Sequence, residues 1–482
     1  MKIAFVVSEV APYSSASELG ELTAGLTSAL AQLGHSVTVI SPRYSSIDSA
    51  AFRLGQTRHK VWVMTSDREE LAGYETHQRQ AIPHVFVRHD SYFDRPGIYG
   101  EGRVSYVDNA ERFAFLCKAA LGYLSEAAIK PDVIHVHDWP SALVPVYLKA
   151  LGSKVPGLGR ARTVLTVHDF DHQGVFETSE FHHVNLPREY NSPQMLRHHG
   201  KLNFLKGGIL AADRVTAPSR RHVEEMRSGD SGLEEILAAR GDAVVGVLDG
   251  IDYTAWNPDA DRYLKANYTP DDLIGKRSCK ADLQTELGLE REVETPIVAM
   301  ISRLTDGRGL DLVTQCLEGI VQLGVQFALL GSGERRYEEF FKQAAQRQPG
   351  RVGVYLGASD LMARKILGGS DMMLFPSRRE PGGSQQLMAL RYGSIPVARA
   401  TGGLDDAVRA VNRDASDGTG FKFQEASARA LMATIEIALD IHRHHREMWR
   451  GIVERAMSED HSWARAAQDY LQVYRQAAAV PA

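Results

Sequence analysis

The chain has 482 residues, 44% of them hydrophobic and 24% charged, enough to bury the cores of two or three globular domains. A formal net charge of −5 offers no broad positive field for nucleic acid or anionic lipid, so neither is an expected partner and any anionic ligand must meet a local group of cations. No apolar run reaches the roughly 20 residues of a membrane span, MKIAFVVSEV lacks the pattern of a secretory signal, and the expected location is cytoplasmic.

KIAFVVSEV opens the chain as a strand, a helix is predicted over roughly Glu18 to Leu33, and SVTVIS follows as a second strand. Further strands are predicted at DVIHVHD (from Asp132), TVLTVHD (from Thr163), RVTAPS (from Arg214) and VVGVLDG (from Val244), each ending in polar or glycine residues. Val/Ile-rich runs alternating with helix-period segments are the pattern of a parallel sheet with crossover helices. The polar stretch from about Asp259 to Asp272 is read as part of the crossing into a second domain. The rhythm then restarts with PIVAMISR, a helix over Leu310 to Leu323, QFALLGSGE, VGVYLGASD and MMLFPSRRE. The C-terminal stretch reads as helical, with Trp463, Ala467, Tyr470 and Tyr474 at helical spacing, a stripe read as packing rather than as a ligand box. Cys117, Cys279 and Cys316 show no paired spacing and are read as reduced, small apolar side chains.

The expected fold class is α/β, with two Rossmann-like doubly wound domains facing across a cleft. The expected boundaries are 1–250, 251–458 and a terminal helix, 459–482, packing back on the first domain. Open α/β sheets bind ligands at the carboxyl ends of their strands, and unusual polar groups collect there: His135, His137 and Asp138 in HVHDW, His168 and Asp169 in TVHDFDHQG, Asp249 and Asp252 in LDGID. These scattered loops do not show the ligand count and spacing of a metal site, so no metal is expected. Arg303 and Arg308 in SRLTDGRGLD flank a predicted helix start, and two guanidiniums beside a helix N-terminus suit a pyrophosphate, although surface ion pairs are the plain alternative. Glu380 in PSRREPGGSQQ and the loop ATGGLDDAV both precede helices. Such glycine-rich loops let backbone amides approach a hydroxyl or phosphate, or serve only as turns.

Together these residues resemble the bacterial glycogen synthase and plant starch synthase family over essentially the whole chain. SEVAP, FDRPGIYG, DNAERFAF, IHVHDW, TVHDFDHQG, FLKGGI, GVLDGID, SRLTDGRGLD, LLGSGE, PSRREPGG and TGGLDDAV look like that family's successive signatures, in its order. The resemblance implies a GT-B fold and transfer of glucose from ADP-glucose to the non-reducing end of an α-1,4-glucan with retention of configuration. A nucleotide sugar and an α-glucan are then the partners, with no metal or other cofactor. It further implies that Asp138 and His168 lie near the glucosyl and acceptor groups, with His168 at a sugar hydroxyl. Arg303 and Arg308 would hold the diphosphate, Glu380 would orient the donor, and Thr401, Gly402 and Gly403 would support it through their backbone. Ser15, Asp249, Gly382 and Gly383 fall at donor-binding positions.

Several of those positions depart from the family pattern. Ser15, Ala16, Ser17, Glu18 and Leu19 stand where the family has Lys-Thr-Gly-Gly-Leu, and a carboxylate beside a pyrophosphate is unfavourable unless Glu18 points outward and opens the helix. Whether another cation such as Arg43 takes the lysine's place is left open. Asp249 replaces an asparagine, Arg308 a lysine, Ala358 a tyrosine expected to stack on adenine, Gly382 a cysteine, and Ser384-Gln385 a Leu-Thr pair. The departures leave two alternatives to a glucan synthase: a transferase with a changed donor or acceptor, or a catalytically silent glucan-binding homologue.

Overall fold

The structure, a computed structural model, describes residues 1–102 and 104–479. It divides into two compact units, one made of Met1–Pro218, Val223–Gly250 and Trp463–Ala482, the other of Ser219–His222 and Ile251–Ser462. Residues 459–462, expected to go with the terminal helix, thus belong to the second unit. Their anchors are the Ile251 N–H, which donates to the His461 carbonyl at 2.9 Å, and the Tyr253 hydroxyl, which donates to the Glu459 carbonyl at 3.0 Å. The polar stretch from Asp259 to Asp272 is no free crossing either. Asp261 in it is 5% exposed and accepts from Arg364 at 2.9 Å and from the Tyr392 hydroxyl at 2.6 Å.

In the first unit, β1 (Lys2–Val6), β2 (Ser36–Pro42), β3 (Val61–Thr65), β4 (Arg68–Arg79), β5 (Ile82–Arg88), β6 (Val133–His137), β7 (Arg162–Thr166), β8 (Arg214–Ala217) and β9 (Val244–Gly246) form the main sheet. Its parallel part runs β5-β2-β1-β6-β7-β8-β9, and β4 and β3 extend it antiparallel beyond β5. Burial on both faces explains the continuous apolar runs: every residue of β6 is buried, as are Ile3, Ala4, Phe5 and Val6 of β1. The order of the sheet reverses between β1 and β6, so the loops after Val6 and His137 open the crevice where such a sheet takes a ligand.

The helix Leu19–Gln32 buries Leu19, Leu26 and Leu30. The C-terminal helix Trp463–Ala478 packs in this unit with Ala467, Tyr470 and Tyr474 fully buried. Its approach to Leu19–Gln32 requires Gly25, where a Cβ would lie 2.1 Å from the Trp463 Nε1. The stripe also makes a polar contact, with the Tyr474 hydroxyl 2.8 Å from His135 Nδ1.

In the second unit, β10 (Ile297–Leu304), β11 (Gln326–Gly333), β12 (Val352–Leu356), β13 (Met372–Phe375), β14 (Ile395–Arg399) and β15 (Phe421–Phe423) pair in the order β12-β11-β10-β13-β14-β15, all parallel. The reversal falls between β10 and β13, which puts Arg303 and the loop carrying Glu380 at a switch point. Among the described residues, no helix is long and apolar enough to cross a membrane.

Candidate active site

The loop after β1 takes its shape from Glu9. This residue is fully buried, and its carboxylate accepts from the Ala16 N–H at 2.5 Å, the Ser17 N–H at 2.9 Å, the Ser17 hydroxyl at 3.0 Å and the Tyr99 hydroxyl at 2.6 Å. The Ser15 hydroxyl turns back into the loop and donates to the Ser17 carbonyl at 3.0 Å. Glu18 sits exposed just before the helix Leu19–Gln32 and makes no side-chain capping bond. This matches the reading of Glu18 as an exposed residue that opens the helix, although its charge is still felt at His168 and Asp249. Arg43 is committed elsewhere, to Glu75 and Ser49, each at 3.1 Å.

Asp138 follows β6 with φ +54°, a left-handed conformation that a non-glycine residue adopts only when its surroundings hold it there. The hold is visible: its carboxylate accepts from the His168 N–H at 2.7 Å, tying the end of β6 to the end of β7. Burial pushes the Asp138 carboxyl up to about 7, against the pull of the backbone amides of His168 and Asp169. His168 Nε2 lies 2.9 Å from His137 Nδ1, so one imidazole donates to the other. Burial lowers both histidines, His137 the more strongly because the charges of His135 and His168 add to it; Asp249, Glu18 and Asp169 oppose the shift at His168. The structure therefore brings together Asp138, His168, Asp249 and Glu18, an acidic strand end with neutral imidazoles.

In the second unit, Arg308 forms an ion pair with Glu380, whose carboxylate also accepts from the Ser377 hydroxyl at 3.1 Å. The loop at Thr401 to Gly403 clasps the Glu380 loop rather than standing apart from it. The Gly403 N–H donates to the Glu380 carbonyl at 2.9 Å, and the Gln386 side chain donates to the carbonyls of Gly382 and Gly383 at 2.7 and 2.8 Å. Glycine is required at both clasp positions: a Cβ would fall 1.9 Å from the Glu380 oxygen at Gly402, which also has φ +45°, and 1.9 Å from the Gly382 oxygen at Gly403. Arg303 is exposed at the end of β10 and, among the described residues, has no carboxylate partner. It lines a cavity of about 320 Å³ together with Trp256, Ala358, Ser384 and Gln385. Three of the altered positions thus share one pocket with the unpaired guanidinium.

Comparison with known proteins bears on this arrangement. The model of the starch synthase catalytic domain matches residues 2–239, and that of glycosyl transferases group 1 matches residues 288–452. A glycogen synthase of Anaeromyxobacter sp. (strain Fw109-5) is 40% identical over 99% of this chain and 100% of its own length. Glycogen synthase 2 of Geobacter sulfurreducens is 39% identical over 99% of each. The chain belongs to the glycogen and starch synthase family. The catalytic domain of starch synthase IV from Arabidopsis thaliana, solved with ADP and acarbose, superposes with a TM-score of 0.87 at 32% identity, covering 100% of both chains. A sucrose-phosphate synthase from Thermosynechococcus elongatus shares the GT-B fold alone, with a TM-score of 0.59 at 15% identity over 99% of this chain and 98% of that one.

In this glycosyltransferase Glu9 and Trp256 were not foreseen as contributors to the strand ends, and His137, expected there, was not foreseen as the partner of His168. Glu9 sits inside SEVAP, where an ionisable residue at the end of a buried strand was the available signal; nothing local marks Trp256. Asp249 is the altered residue with the clearest electrostatic consequence. Burial pushes its carboxyl up to about 6, with Glu18 and Asp138 adding to the shift and His168 opposing it. Below pH ~4 it is protonated in both folded and unfolded chains. Between about pH 4 and 6 only the unfolded chain ionises, so the wild type loses stability relative to Asp249→Asn, and above 6 the gap stays constant. Thermal unfolding of both proteins from pH 4 to 8 should show the Tm difference opening up to pH 6 and then levelling. A difference independent of pH would mean that Asp249 titrates at its ordinary value.

Proposed function

We propose that this chain transfers glucose from ADP-glucose to the non-reducing end of an α-1,4-glucan, retaining configuration at the anomeric carbon. The observation that carries the reading is Arg303, an exposed guanidinium without a carboxylate partner among the described residues, at the lip of the 320 Å³ cavity on the switch point of the second unit. As the bond from the sugar to the diphosphate breaks, negative charge grows on the leaving oxygen. A cation fixed there stabilises the transition state more than the ground state. Arg308, held by Glu380, supplies a second positive group, and Glu380 orients the donor from a loop that Gly402 and Gly403 keep in register. Asp138 and His168 serve the glucosyl and acceptor side, with neutral His168 able to bond a sugar hydroxyl.

The scheme calls for no metal or other cofactor. The ADP bound to the Arabidopsis relative supports an adenine nucleotide donor. With alanine at 358, the aromatic wall of the cavity is Trp256, and base contact falls to its indole.

One observation favours a second reading. Glu18, in the loop where the family pattern has a lysine and glycines, and Asp249, in place of an asparagine, join Asp138 and Asp169 about His168, and carboxylates oppose a diphosphate. A changed donor, or glucan binding without turnover, would relieve that conflict. Transfer of radiolabelled glucose from ADP-glucose and, separately, from UDP-glucose onto glycogen and maltooligosaccharides decides between them. Incorporation from ADP-glucose is expected. Folded protein that binds glycogen but incorporates from neither donor would overturn the synthase reading.

A further inference from the structure

At the amino ends of the second unit's strands, the opposite end of the sheet from Arg303 and Glu380, lies a cavity of about 530 Å³. The helices Ile274–Glu286, Ala428–His444 and Arg446–Ser458 contribute to its lining together with residues just ahead of β10, β13 and β14. Its size suits a small-molecule or oligosaccharide ligand.

The inner part is polar and almost fully paired. Lys280, 5% exposed, reaches Asp371 at 2.7 Å. Lys276 donates to the Gly368 and Tyr392 carbonyls at 3.1 and 2.9 Å. His442 is the exception. It is 4% exposed, its Nε2 lies 3.6 Å from Asp371, and its Nδ1 is buried without a hydrogen-bond partner among the described residues.

The outer part combines an apolar wall with shared charges. Trp449 and Val453 line it, and Ile274 stands 75% exposed at its rim. Arg277 and Arg446 converge on one carboxylate, Glu294, at 2.6 and 2.9 Å. Arg450 on one side and Asp271 and Asp272 on the other leave the lining close to electrical balance. Such a lining has no field to concentrate a phosphate. It offers both donors and acceptors beside apolar surface, the combination that hydroxyl groups and the C–H faces of a neutral sugar chain require.

We propose that this cavity is a second carbohydrate site that holds a segment of α-glucan away from the strand ends at which transfer is expected. The choice of α-glucan among polyhydroxylated ligands rests on the transfer reading above; the site itself does not. Holding a polymer at a second point raises the effective concentration of its chain ends.

The test uses the full chain and two variants, the double substitution Arg446→Ala/Arg450→Ala and the rim substitution Ile274→Asp. The arginine side chains are 59% and 64% exposed and make only exposed ion pairs, so folding is expected to survive, which an unchanged Tm would verify. Retention on glycogen in affinity electrophoresis should fall in both variants. The KM for glycogen should rise on the order of tenfold, while kcat with maltotriose stays that of the wild type. Wild-type retention by both variants, or no retention of the wild type itself, would overturn the proposal. If the wild type turns over neither donor yet the variants still lose glycogen, the second site stands and the transfer reading falls.

Discussion

Replacing Arg303 by alanine is expected to lower kcat/KM for glucosyl transfer by about 30- to 5,000-fold, the rate equivalent of the ~2–5 kcal/mol that a desolvated charge partner commonly supplies. The loss should fall mainly on kcat, because the guanidinium meets its full complement of negative charge only as the leaving group departs. Stability should be untouched: the side chain is exposed and, among the described residues, bonded to no carboxylate, so Tm separates a catalytic loss from a folding one. Arg303→Lys should recover only part of the rate, since an ammonium keeps the charge but not the two-pronged geometry. An alanine variant with wild-type kcat would remove Arg303 from the reaction.

The second large effect is expected from one methyl group. Gly403→Ala would set a Cβ 1.9 Å from the Gly382 oxygen and 2.6 Å from its Cα. These contacts are with backbone, which cannot swing aside as a side-chain tip can. The clasp between the two loops must open, and with it the bond from the Gly403 N–H to the Glu380 carbonyl. Displacing a positioning group by about 1 Å costs roughly 100-fold in rate, and overpacking of this kind typically costs about 1–3 kcal/mol of stability. Steady-state kinetics and thermal unfolding should both report the change. Full activity in Gly403→Ala would show that Glu380 does not depend on this clasp.

Much of this arrangement was legible from the chain alone, for identifiable reasons. Parallel strands buried on both faces write themselves as Val/Ile-rich runs, so VIHVH, TVLT and IVAMIS could be placed without partners. Their polar terminators, among them Asp138, His168 and Arg303, then fall at the strand ends by topology. What stayed hidden depends on partners distant in sequence. The antiparallel strand β4 is mostly polar, and its sequence REELAGYETHQR carries no clean period. Asp261 lay in a stretch that reads as linker, because its partners Arg364 and Tyr392 come 103 and 131 residues later. Trp256 reached the 320 Å³ cavity in the same way, from a loop with no local sign of its destination.

The clasp on the loop after β1 bears on how such a chain can change its chemistry. Of the four bonds on the Glu9 carboxylate, two come from the main chain at residues 16 and 17, one from the Ser17 hydroxyl and one from Tyr99. Main-chain donors are indifferent to the side chains at 15, 16 and 18. The loop's path is thereby uncoupled from most of its spelling, and this stretch can exchange a lysine for a serine and a glycine for a glutamate without the strand beneath it being redesigned. Selection acting on the preferred nucleotide or sugar has here a segment that can drift in charge while its geometry is kept, and a laboratory graft of Lys-Thr-Gly-Gly onto residues 15–18 inherits the same freedom everywhere except at Ser17.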